Sequence, residues 1–432
     1  MGRIHVSGGK KLCGETRIQG SKNAALPLMA SSVLHKGVTV IHNCPRIQDV
    51  ECMKQILEDL GCQIRHEDHT LWIDASVLQK NELSPDLTVQ MRGSVLLMGS
   101  LLGRCKEVIL PFPGGCVIGA RPVNYHMDMM RKMGAEVLCQ EERMIFRTSG
   151  LEGNTIQLPF PSVGATENGI LAAVLANGRT ILKGCAKEPE IRELCCSLQK
   201  RGAKIKNDGD TIYLDGVTEL TDMEYTLMPD RIVAGTYLLA ACATGSKIIL
   251  HNVPAEELES LTRLIKKMGG RFKIWQEDYD QKMEADCCSL KGSQIYVKTA
   301  PYPGFPTDLQ SQLMAAAAAS KKKNVCYIQE EIFEKRFLIA EELRKMGANI
   351  RISGREAQIR GRGGLHAADL MARDLRGGAA LVIAALAADG ISRIAPDEYI
   401  KRGYENISRD LEELGATIRT ELETTEKLPA KE

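Results

Sequence analysis

The fold is decided by the stretch Leu198-Gln199-Lys200-Arg201-Gly202-Ala203 and by the alternating runs that follow it, Lys204-Ile205-Lys206 and Thr211-Ile212-Tyr213-Leu214. A glycine that comes after apolar and cationic residues is typical of the C-terminal end of a helix. Alternating apolar and polar residues on both sides of a polar turn predict two paired strands. This stretch therefore predicts a helix that ends at a glycine and continues into a β-hairpin.

The same pattern recurs along the whole chain, with a helix-ending glycine every 67 to 78 residues. These glycines are Gly61, Gly134, Gly202, Gly269, Gly347 and Gly415. Some 38 to 42 residues ahead of each, a segment rich in small residues begins, near Lys22, Arg92, Gly164, Asp230, Thr307 and Arg376. Helices of this composition are usually buried on most faces. We therefore expect an α/β fold of six repeats of about 70 residues, with sheets around buried helices; the alternative is a generic α/β fold with common helix ends.

The composition is that of a globular protein with an aliphatic core. Hydrophobic residues make up 44% of the 432 residues, charged residues 26% and aromatic residues 4%, which excludes disordered and collagen-like chains. The formal net charge of +1 argues against a nucleic-acid partner for the whole chain. The 14 cysteines show neither zinc-ligand spacing nor a secreted disulfide framework. The longest uncharged stretch, residues 232–246, is short for a membrane span. We expect a cytoplasmic protein with reduced thiols and no membrane insertion.

Four of the six buried helices are predicted to start at or next to a cation, at Lys22, Arg92, Arg231 and Arg376. A helix N-terminus presents unpaired N–H groups and a partial positive charge, so it binds phosphate or carboxylate readily. If the repeats are related by pseudo-symmetry, these ends converge. We therefore expect a small anionic ligand.

One loop carries the most unusual local sequence, Pro111-Phe112-Pro113-Gly114-Gly115-Cys116-Val117-Ile118-Gly119-Ala120-Arg121-Pro122. Its glycines allow close approach of the backbone to a ligand. Arg121 is able to hold a phosphate and to lower the pKa of the Cys116 thiol. The alternative is that Cys116 is a small buried hydrophobic residue, as most free cysteines are.

Motifs along the chain closely resemble those of the enolpyruvyl transferases, and among them the UDP-N-acetylglucosamine 1-carboxyvinyltransferases of bacterial peptidoglycan synthesis. The two longest are Pro113-Gly114-Gly115-Cys116-Val117-Ile118-Gly119-Ala120-Arg121-Pro122-Val123 and Ser21-Lys22-Asn23-Ala24-Ala25-Leu26-Pro27. The others are Ser162-Val163-Gly164-Ala165-Thr166, Glu188-Pro189-Glu190-Ile191, Pro229-Asp230-Arg231-Ile232, Phe305-Pro306-Thr307-Asp308-Leu309-Gln310, Phe333-Glu334-Lys335-Arg336-Phe337, Asp374-Leu375-Arg376 and Arg402-Gly403-Tyr404-Glu405. The resemblance runs in the same order from about residue 4 to 420.

The resemblance implies a two-domain inside-out α/β barrel of the enolpyruvyl transferase type, with three repeats in each domain. The first domain is expected to span residues 22–229 and to carry the Cys116 loop. The second is expected to comprise residues 1–21 and 230–432 and to carry Asp308, Arg336, Arg376 and Arg402. The substrates are expected in the cleft between the domains.

The activity implied is transfer of the enolpyruvyl group of phosphoenolpyruvate to the 3-hydroxyl of UDP-N-acetylglucosamine, with release of phosphate and with no metal or organic cofactor. The catalytic residues implied are Cys116 as proton donor, Asp308 as base, Lys22 and Arg402. Asp308 also fits a helix N-cap. The substrate-binding residues implied are Lys22, Asn23, Arg92, Arg121, Pro122, Val123, Asn124, Tyr125, Ser162, Val163, Gly164, Asp308, Ile332, Arg336, Arg376 and Arg402.

Two departures from the family pattern keep other functions open. Lys401 stands where an aspartate usually precedes the Arg-Gly-Tyr motif, and Asn124 stands where many members have aspartate. They leave open a catalytically weak paralogue that binds UDP-N-acetylglucosamine as a sensor. The related transferase that acts on shikimate 3-phosphate is the second alternative. The sequence leaves the oligomeric state open.

Overall fold

The computed structural model describes residues 2–112, 119, 123–292, 294–322, 324–361 and 363–422. Its strands are β1 (Gly2–Ser7), β2 (Glu15–Arg17), β3 (Val38–His42), β4 (Gln63–Glu67), β5 (Thr70–Asp74), β6 (Glu107–Pro111), β7 (Glu136–Cys139), β8 (Arg143–Arg147), β9 (Thr155–Gln157), β10 (Arg179–Lys183), β11 (Lys204–Asp208), β12 (Thr211–Asp215), β13 (Met223–Thr226), β14 (Lys247–His251), β15 (Arg271–Glu277), β16 (Asp280–Asp286), β17 (Gln294–Lys298), β18 (Asn324–Gln329), β19 (Asn349–Ser353), β20 (Glu356–Gly361), β21 (Asp369–Met371), β22 (Ile391–Ala395) and β23 (Thr417–Leu422).

The helices alternate with these strands. They are α1 (Lys22–Ser32), α2 (Gln48–Asp59), α3 (Pro85–Thr88), α4 (Leu97–Cys105), α5 (Asn124–Lys132), α6 (Val163–Ala173), α7 (Pro189–Lys200), α8 (Arg231–Thr244), α9 (Glu259–Lys267), α10 (Gln310–Ala319), α11 (Ile339–Lys345), α12 (Leu375–Ala387), α13 (Glu398–Lys401) and α14 (Ile407–Glu413). Short 3₁₀ turns cover Arg92–Leu96, Glu256–Leu258, Thr307–Leu309 and Arg336–Leu338. None of the helices in the described ranges is long and apolar enough to cross a membrane.

The described strands form six small sheets, of which five have four strands on one plan and the sixth, β6-β8-β7, has three antiparallel strands. In the sheet β11-β12-β10-β9, strand β10 is parallel to β9 and antiparallel to β12, and β11 and β12 form the predicted hairpin. Three strands complete sheets that are distant in sequence: β13 pairs with β3, β2 pairs with β14, and β1 lies between β22 and β23. Strands from the start and from the middle of the chain therefore complete sheets whose other strands lie far away in the sequence.

The predicted helix-ending glycines are confirmed. Gly61, Gly134, Gly202, Gly269, Gly347 and Gly415 all have φ between 85° and 109°. Only glycine adopts this left-handed conformation without strain, and it turns the chain out of the helix and into the following strand. The repeat is therefore set by backbone geometry at six equivalent points.

The small-residue helices are buried, as predicted. Every residue of α10 and of α12 is buried, and α8, α10 and α12 pack against one another. Helix α4 packs in the same way against α1 and α6. The sheets lie outside these helices with one face of most strands buried, so the inside-out arrangement is confirmed.

The buried apolar side chains form two separate clusters. One contains residues between Ala24 and Leu227, and the other contains residues from Ile4 to Ile18 and from Ile232 to Ile418. The two chain segments that connect them run side by side, with Ser21 N–H donating to the Met228 carbonyl at 2.9 Å and Asp230 N–H donating to the Gln19 carbonyl at 2.9 Å. This antiparallel pair brings the start of α1 next to the start of α8.

A buried amide connects three helices of the first cluster. The Asn168 Oδ1 atom accepts from Gly99 N–H at 2.8 Å, and its Nδ2 donates to the Val95 carbonyl and to His126 Nδ1, each at 3.0 Å. His126 Nδ1 accepts this bond only while it is unprotonated. Burial and the nearby charge of Arg92 lower the pKa of His126 to about 4.

We predict that Gly99→Ala destabilises the protein and that Gly103→Ala does not. Both glycines lie in α4, but a Cβ at Gly99 would stand 2.5 Å from the Asn168 carbonyl oxygen, whereas the nearest atom to a Cβ at Gly103 is 3.7 Å away. The first change should lower the free energy of unfolding by about 1–3 kcal/mol through overpacking. The second should raise it by up to about 1 kcal/mol through helix propensity. Urea unfolding followed by circular dichroism measures both, and equal midpoints for the two variants would contradict this packing.

We predict that His126 contributes to acid destabilisation. The unfolded chain binds its proton at about pH 6.5, whereas the folded chain keeps His126 neutral down to about pH 4. The contribution of His126 to the free energy of unfolding is therefore fully present above pH 6.5. It falls by about 2–3 kcal/mol as the pH drops towards 4. His126→Gln should lose less stability than the wild type between pH 7 and pH 4.5, and exposed His69→Gln should behave as the wild type. Parallel pH curves for all three proteins would show that His126 has no such role.

Candidate active site

A buried carboxylate joins cations from the two halves of the molecule. Lys22 is the first residue of α1, Asp49 lies in the first turn of α2, and Arg402 follows α13. Lys22 Nζ is 2.7 Å from Asp49 Oδ2, and Arg402 Nε donates to Asp49 Oδ1 at 2.8 Å. Burial raises the pKa of Asp49, but the charges of Lys22 and Arg402 together outweigh it and hold the pKa below its usual value. Asp49 is therefore an ionised bridge between two cations.

Asp308 forms a second bridge of the same kind. Arg336 Nη2 donates to its Oδ1, and Arg376 Nη2 donates to its Oδ2 at 3.0 Å. Burial raises the pKa of Asp308, but Arg376, Arg336 and Lys22 outweigh it and hold the pKa far below the usual range. The influence of Lys22 on Asp308 shows that the two bridges are close enough to act as one cluster.

Among the residues that the structure describes, this cluster has more cations than anions. Two carboxylates, Asp49 and Asp308, hold four cationic side chains. Burial, helped by the charges of Arg376 and Arg402, lowers the pKa of Lys22 in spite of its pairing with Asp49. Arg376 Nη1 is buried and has no hydrogen-bond partner among the described residues. A buried donor without a partner is energetically costly, so the cluster is built to receive an anionic acceptor.

Helix starts hold the cluster in place. Ser21 caps α1 by accepting from Ala24 N–H at 3.3 Å. The N-cap of α8, Asp230, accepts from Ile232 and Val233 in its own helix and also from Lys22 N–H at 3.0 Å. One carboxylate thus connects the starts of α1 and α8. As predicted, Lys22 and Arg376 converge.

The other two cations at helix starts have different neighbours. Arg231 Nε donates to the buried carboxylate of Glu190 at 3.0 Å, so its charge is compensated. Arg92 begins the 3₁₀ turn ahead of α4 and lies close enough to His126 to lower its pKa. Of the four cations predicted to converge, Lys22 and Arg376 therefore lie in the cluster, whereas Arg231 and Arg92 have these other neighbours.

The residues expected to bind a sugar nucleotide fall into two groups. Val123, Asn124 and Tyr125 form the start of α5, while Ser162, Val163 and Gly164 form the start of α6. These starts are neighbours, because a Cβ at Gly164 would be 3.4 Å from His126 Cε1. Ile332 lies in the other half of the molecule, where its N–H and that of Phe333 donate to Glu330 Oε1. Asn23 is half-buried beside Lys22.

Three predicted residues, Cys116, Arg121 and Pro122, lie outside the described residues. Within their loop, Gly119 is described and is buried. A Cβ at Gly119 would stand 2.4 Å from Glu334 Oε2 and 3.2 Å from the Glu334 nitrogen. Gly119 therefore contacts the segment that leads to Arg336.

Two features of the site differ from what the sequence suggested. Asp49 was not predicted, because an acidic residue in the first turn of a helix is usually a partner of the helix dipole; its position next to the Lys22 helix was the missing information. Lys401, which stands where an aspartate usually precedes the Arg-Gly-Tyr motif, places a cation next to Arg402 in sequence, but its Nζ lies 2.6 Å from the buried carboxylate of Asp397. The added charge is therefore compensated.

Comparisons with known proteins extend over nearly the whole chain. Residues 6–411 match the family model of EPSP synthase (3-phosphoshikimate 1-carboxyvinyltransferase). UDP-N-acetylglucosamine 1-carboxyvinyltransferase 2 of Caldanaerobacter subterraneus subsp. tengcongensis is 42% identical over 97% of this chain and 99% of its own length. The Bacillus subtilis protein of the same name is 39% identical over 99% of both chains.

Solved structures show the same fold. The enolpyruvyl transferase NikO from Streptomyces tendae superimposes with a TM-score of 0.86 at 24% identity, over 97% of this chain and 98% of that one. EPSP synthase from Acinetobacter baumannii gives a TM-score of 0.75 at 18% identity, over 98% and 100%. The predicted enolpyruvyl transferase fold is thus confirmed, and the sequence identities show that the chain belongs to the UDP-N-acetylglucosamine 1-carboxyvinyltransferases of the EPSP synthase family.

Proposed function

We propose that this protein transfers the enolpyruvyl group of phosphoenolpyruvate to the 3-hydroxyl of UDP-N-acetylglucosamine and releases phosphate, a step in the synthesis of peptidoglycan precursors. The observation that carries the proposal is the cluster of Lys22, Arg336, Arg376 and Arg402 around Asp49 and Asp308. The names of relatives about 40% identical over almost the whole chain support the choice of substrates.

Phosphoenolpyruvate matches the charge of this cluster. It carries a phosphate and a carboxylate, and charge-assisted hydrogen bonds from arginine to such groups are strong and directional. Its anionic groups would take the place of part of the carboxylate contacts and would give Arg376 Nη1 an acceptor. The four cations would hold the substrate and stabilise the phosphate as it leaves.

The chemistry is an addition followed by an elimination, so one group protonates the methylene carbon of phosphoenolpyruvate while another removes the proton of the sugar hydroxyl. In this proposal Cys116 is the proton donor and the target of the epoxide fosfomycin. Asp308 accepts the hydroxyl proton. Two arginines keep the pKa of Asp308 far below its usual range in the substrate-free site. Transfer of Arg336 and Arg376 contacts to the substrate would raise that pKa and make Asp308 a better base.

The sugar nucleotide would lie between the starts of α5 and α6 and the segment around Ile332. Arg92, Arg121, Ser162 and the α5 start would bind the nucleotide from one side, with Pro122, Val123 and Gly164 contributing backbone close to it. Ile332 and Asp308 would face it from the other side. The half-buried position of Tyr125 and the exposed Asn124 leave both able to contact a ligand.

We propose further that the two apolar clusters are the cores of two domains, residues 22–229 and residues 1–21 with 230–432. The clean separation of the clusters and the paired connecting segments support this division. Anions that bind Lys22 and Arg402 together would favour closure of the cleft. The contact between Gly119 and Glu334 connects the two proposed domains.

Phosphate release with each candidate acceptor tests the proposed function. With phosphoenolpyruvate, the wild type should release phosphate in the presence of UDP-N-acetylglucosamine and not with shikimate 3-phosphate. Activity with shikimate 3-phosphate alone would assign the chain to the other transferase. Tight binding of UDP-N-acetylglucosamine without any turnover would instead indicate a sensor.

Asp308→Asn should lower kcat by about 10²–10⁴-fold, because the amide is not a base at the sugar hydroxyl. Asp369→Asn is the matched control, since Asp369 also pairs with an arginine, Arg393 at 3.2 Å, but on the exposed surface. The control should keep wild-type kcat. Asp308→Asn with kcat within twofold of the wild type would show that Asp308 is not the base.

A further inference from the structure

A second cavity lies at the opposite end of the helices that carry the active site. It has a volume of about 290 Å³ and is lined by the C-terminal parts of α8, α10 and α12, including Leu239, Leu313, Ala316 and Leu386. The N-terminal ends of the same helices carry Arg231, Asp308 and Arg376. Because α12 alone has 13 residues, a length of about 20 Å, this cavity is distinct from the cluster described above.

The mouth of the cavity is positively charged. Lys10, Lys11, Lys291, Lys321 and Lys322 line it, and the described residues of the lining include no aspartate or glutamate. All five lysines are exposed. Among the residues that the structure describes, none of the five forms an ion pair with a carboxylate. The rim therefore carries an uncompensated positive charge.

These lysines do not simply cap the helix ends. Cations near helix C-termini are favourable by themselves. In the first half of the molecule, such cations donate hydrogen bonds to carbonyls at a helix C-terminal end. Arg104 donates to the carbonyls of Val33 and His35, and Arg201 donates to that of Ser31. In the second half, Lys322 Nζ donates instead to the Leu290 carbonyl and Lys10 Nζ to Thr417 Oγ1. In the first half, arginine side chains thus donate to carbonyls at the C-terminal end of a helix. In the second half, the corresponding helix ends lie beneath a rim of lysines, two of which donate to other groups instead.

The interior fits an aliphatic chain. The lining residues from the helices are mainly leucine and alanine, and no aromatic ring on which a base or sugar would stack is found in the described part of the lining. The volume is near the lower limit of small-molecule pockets. An apolar interior beneath an uncompensated cationic rim is complementary to an acyl chain that ends in an anion.

We propose that this cavity binds a free medium-chain fatty acid, with the acyl chain between the ends of α8, α10 and α12 and the carboxylate among Lys11, Lys291 and the neighbouring lysines. The site is separate from the proposed enolpyruvyl transfer. Binding of a fatty acid to this cavity can therefore be measured independently of catalysis.

Calorimetric titration of the full chain with decanoate and octanoate tests this site. The wild type should bind one decanoate per chain, and octanoate should bind about 15-fold more weakly, because each methylene buried contributes about fourfold in affinity. A Lys11→Ala/Lys291→Ala variant should bind decanoate at least tenfold more weakly, and so should Ala316→Phe, which fills the interior. The matched control Lys204→Ala/Lys206→Ala, on exposed β11, should bind as the wild type.

Several results would overturn the proposal. These are the absence of saturable decanoate binding, an affinity that does not depend on chain length, or unchanged binding in the Lys11→Ala/Lys291→Ala variant. Co-sedimentation with phosphatidylglycerol vesicles that depends on the same lysines, without decanoate binding, would instead assign the surface to membrane contact. Phosphate release should remain within twofold of the wild type in the lysine variant, which separates a failure here from a failure of the proposed function.

Discussion

Two carboxylates, Asp49 buried and Asp308 half-buried, hold four cations where the two halves of the molecule meet, and the rest of the active site depends on this imbalance. Asp49 connects Lys22 with Arg402, and Asp308 connects Arg336 with Arg376. Each carboxylate holds two cations, so the ion pairs between described residues carry a net positive charge in a partly desolvated site, which is unfavourable unless an anion is supplied. The bridges therefore keep the empty site folded and leave it ready for an anionic substrate.

The fold supplies this arrangement through helices that are buried along their whole length. Such helices need small residues on every face, which explains the Ala-rich composition of α10 and α12 and the close approach at Gly99. Their N-terminal ends meet where the chain connects its two halves, at Ser21 and Asp230. Their C-terminal ends have different neighbours in the two halves: the half-buried Arg104 and the buried Arg201 in the first, and the lysine-rimmed cavity in the second.

Local patterns predicted much of the fold and part of the site. The six glycines with positive φ and the starts of the buried helices were predictable, because each depends on short-range chemistry that the sequence displays directly. The positions of Lys22 and Arg376 at the starts of buried helices were predictable for the same reason. The role of Asp49 was not, since it depends on the placement of α2 beside α1 and of Arg402 from a segment 353 residues away. The pairing of Arg231 with Glu190, 41 residues apart, likewise required the packed structure, whereas Lys401 and Asp397 are an i,i+4 pair that the sequence displays directly.

The central claim is that the cluster is an anion site whose charge is incomplete without substrate. Titration of inorganic phosphate into protein saturated with UDP-N-acetylglucosamine tests it most directly, because no turnover occurs. The account predicts one phosphate per chain, with binding about 10- to 100-fold weaker in Arg376→Met, which removes the Nη1 donor that has no partner within the described part of the chain. Equal phosphate affinity in the wild type and in Arg376→Met would contradict it.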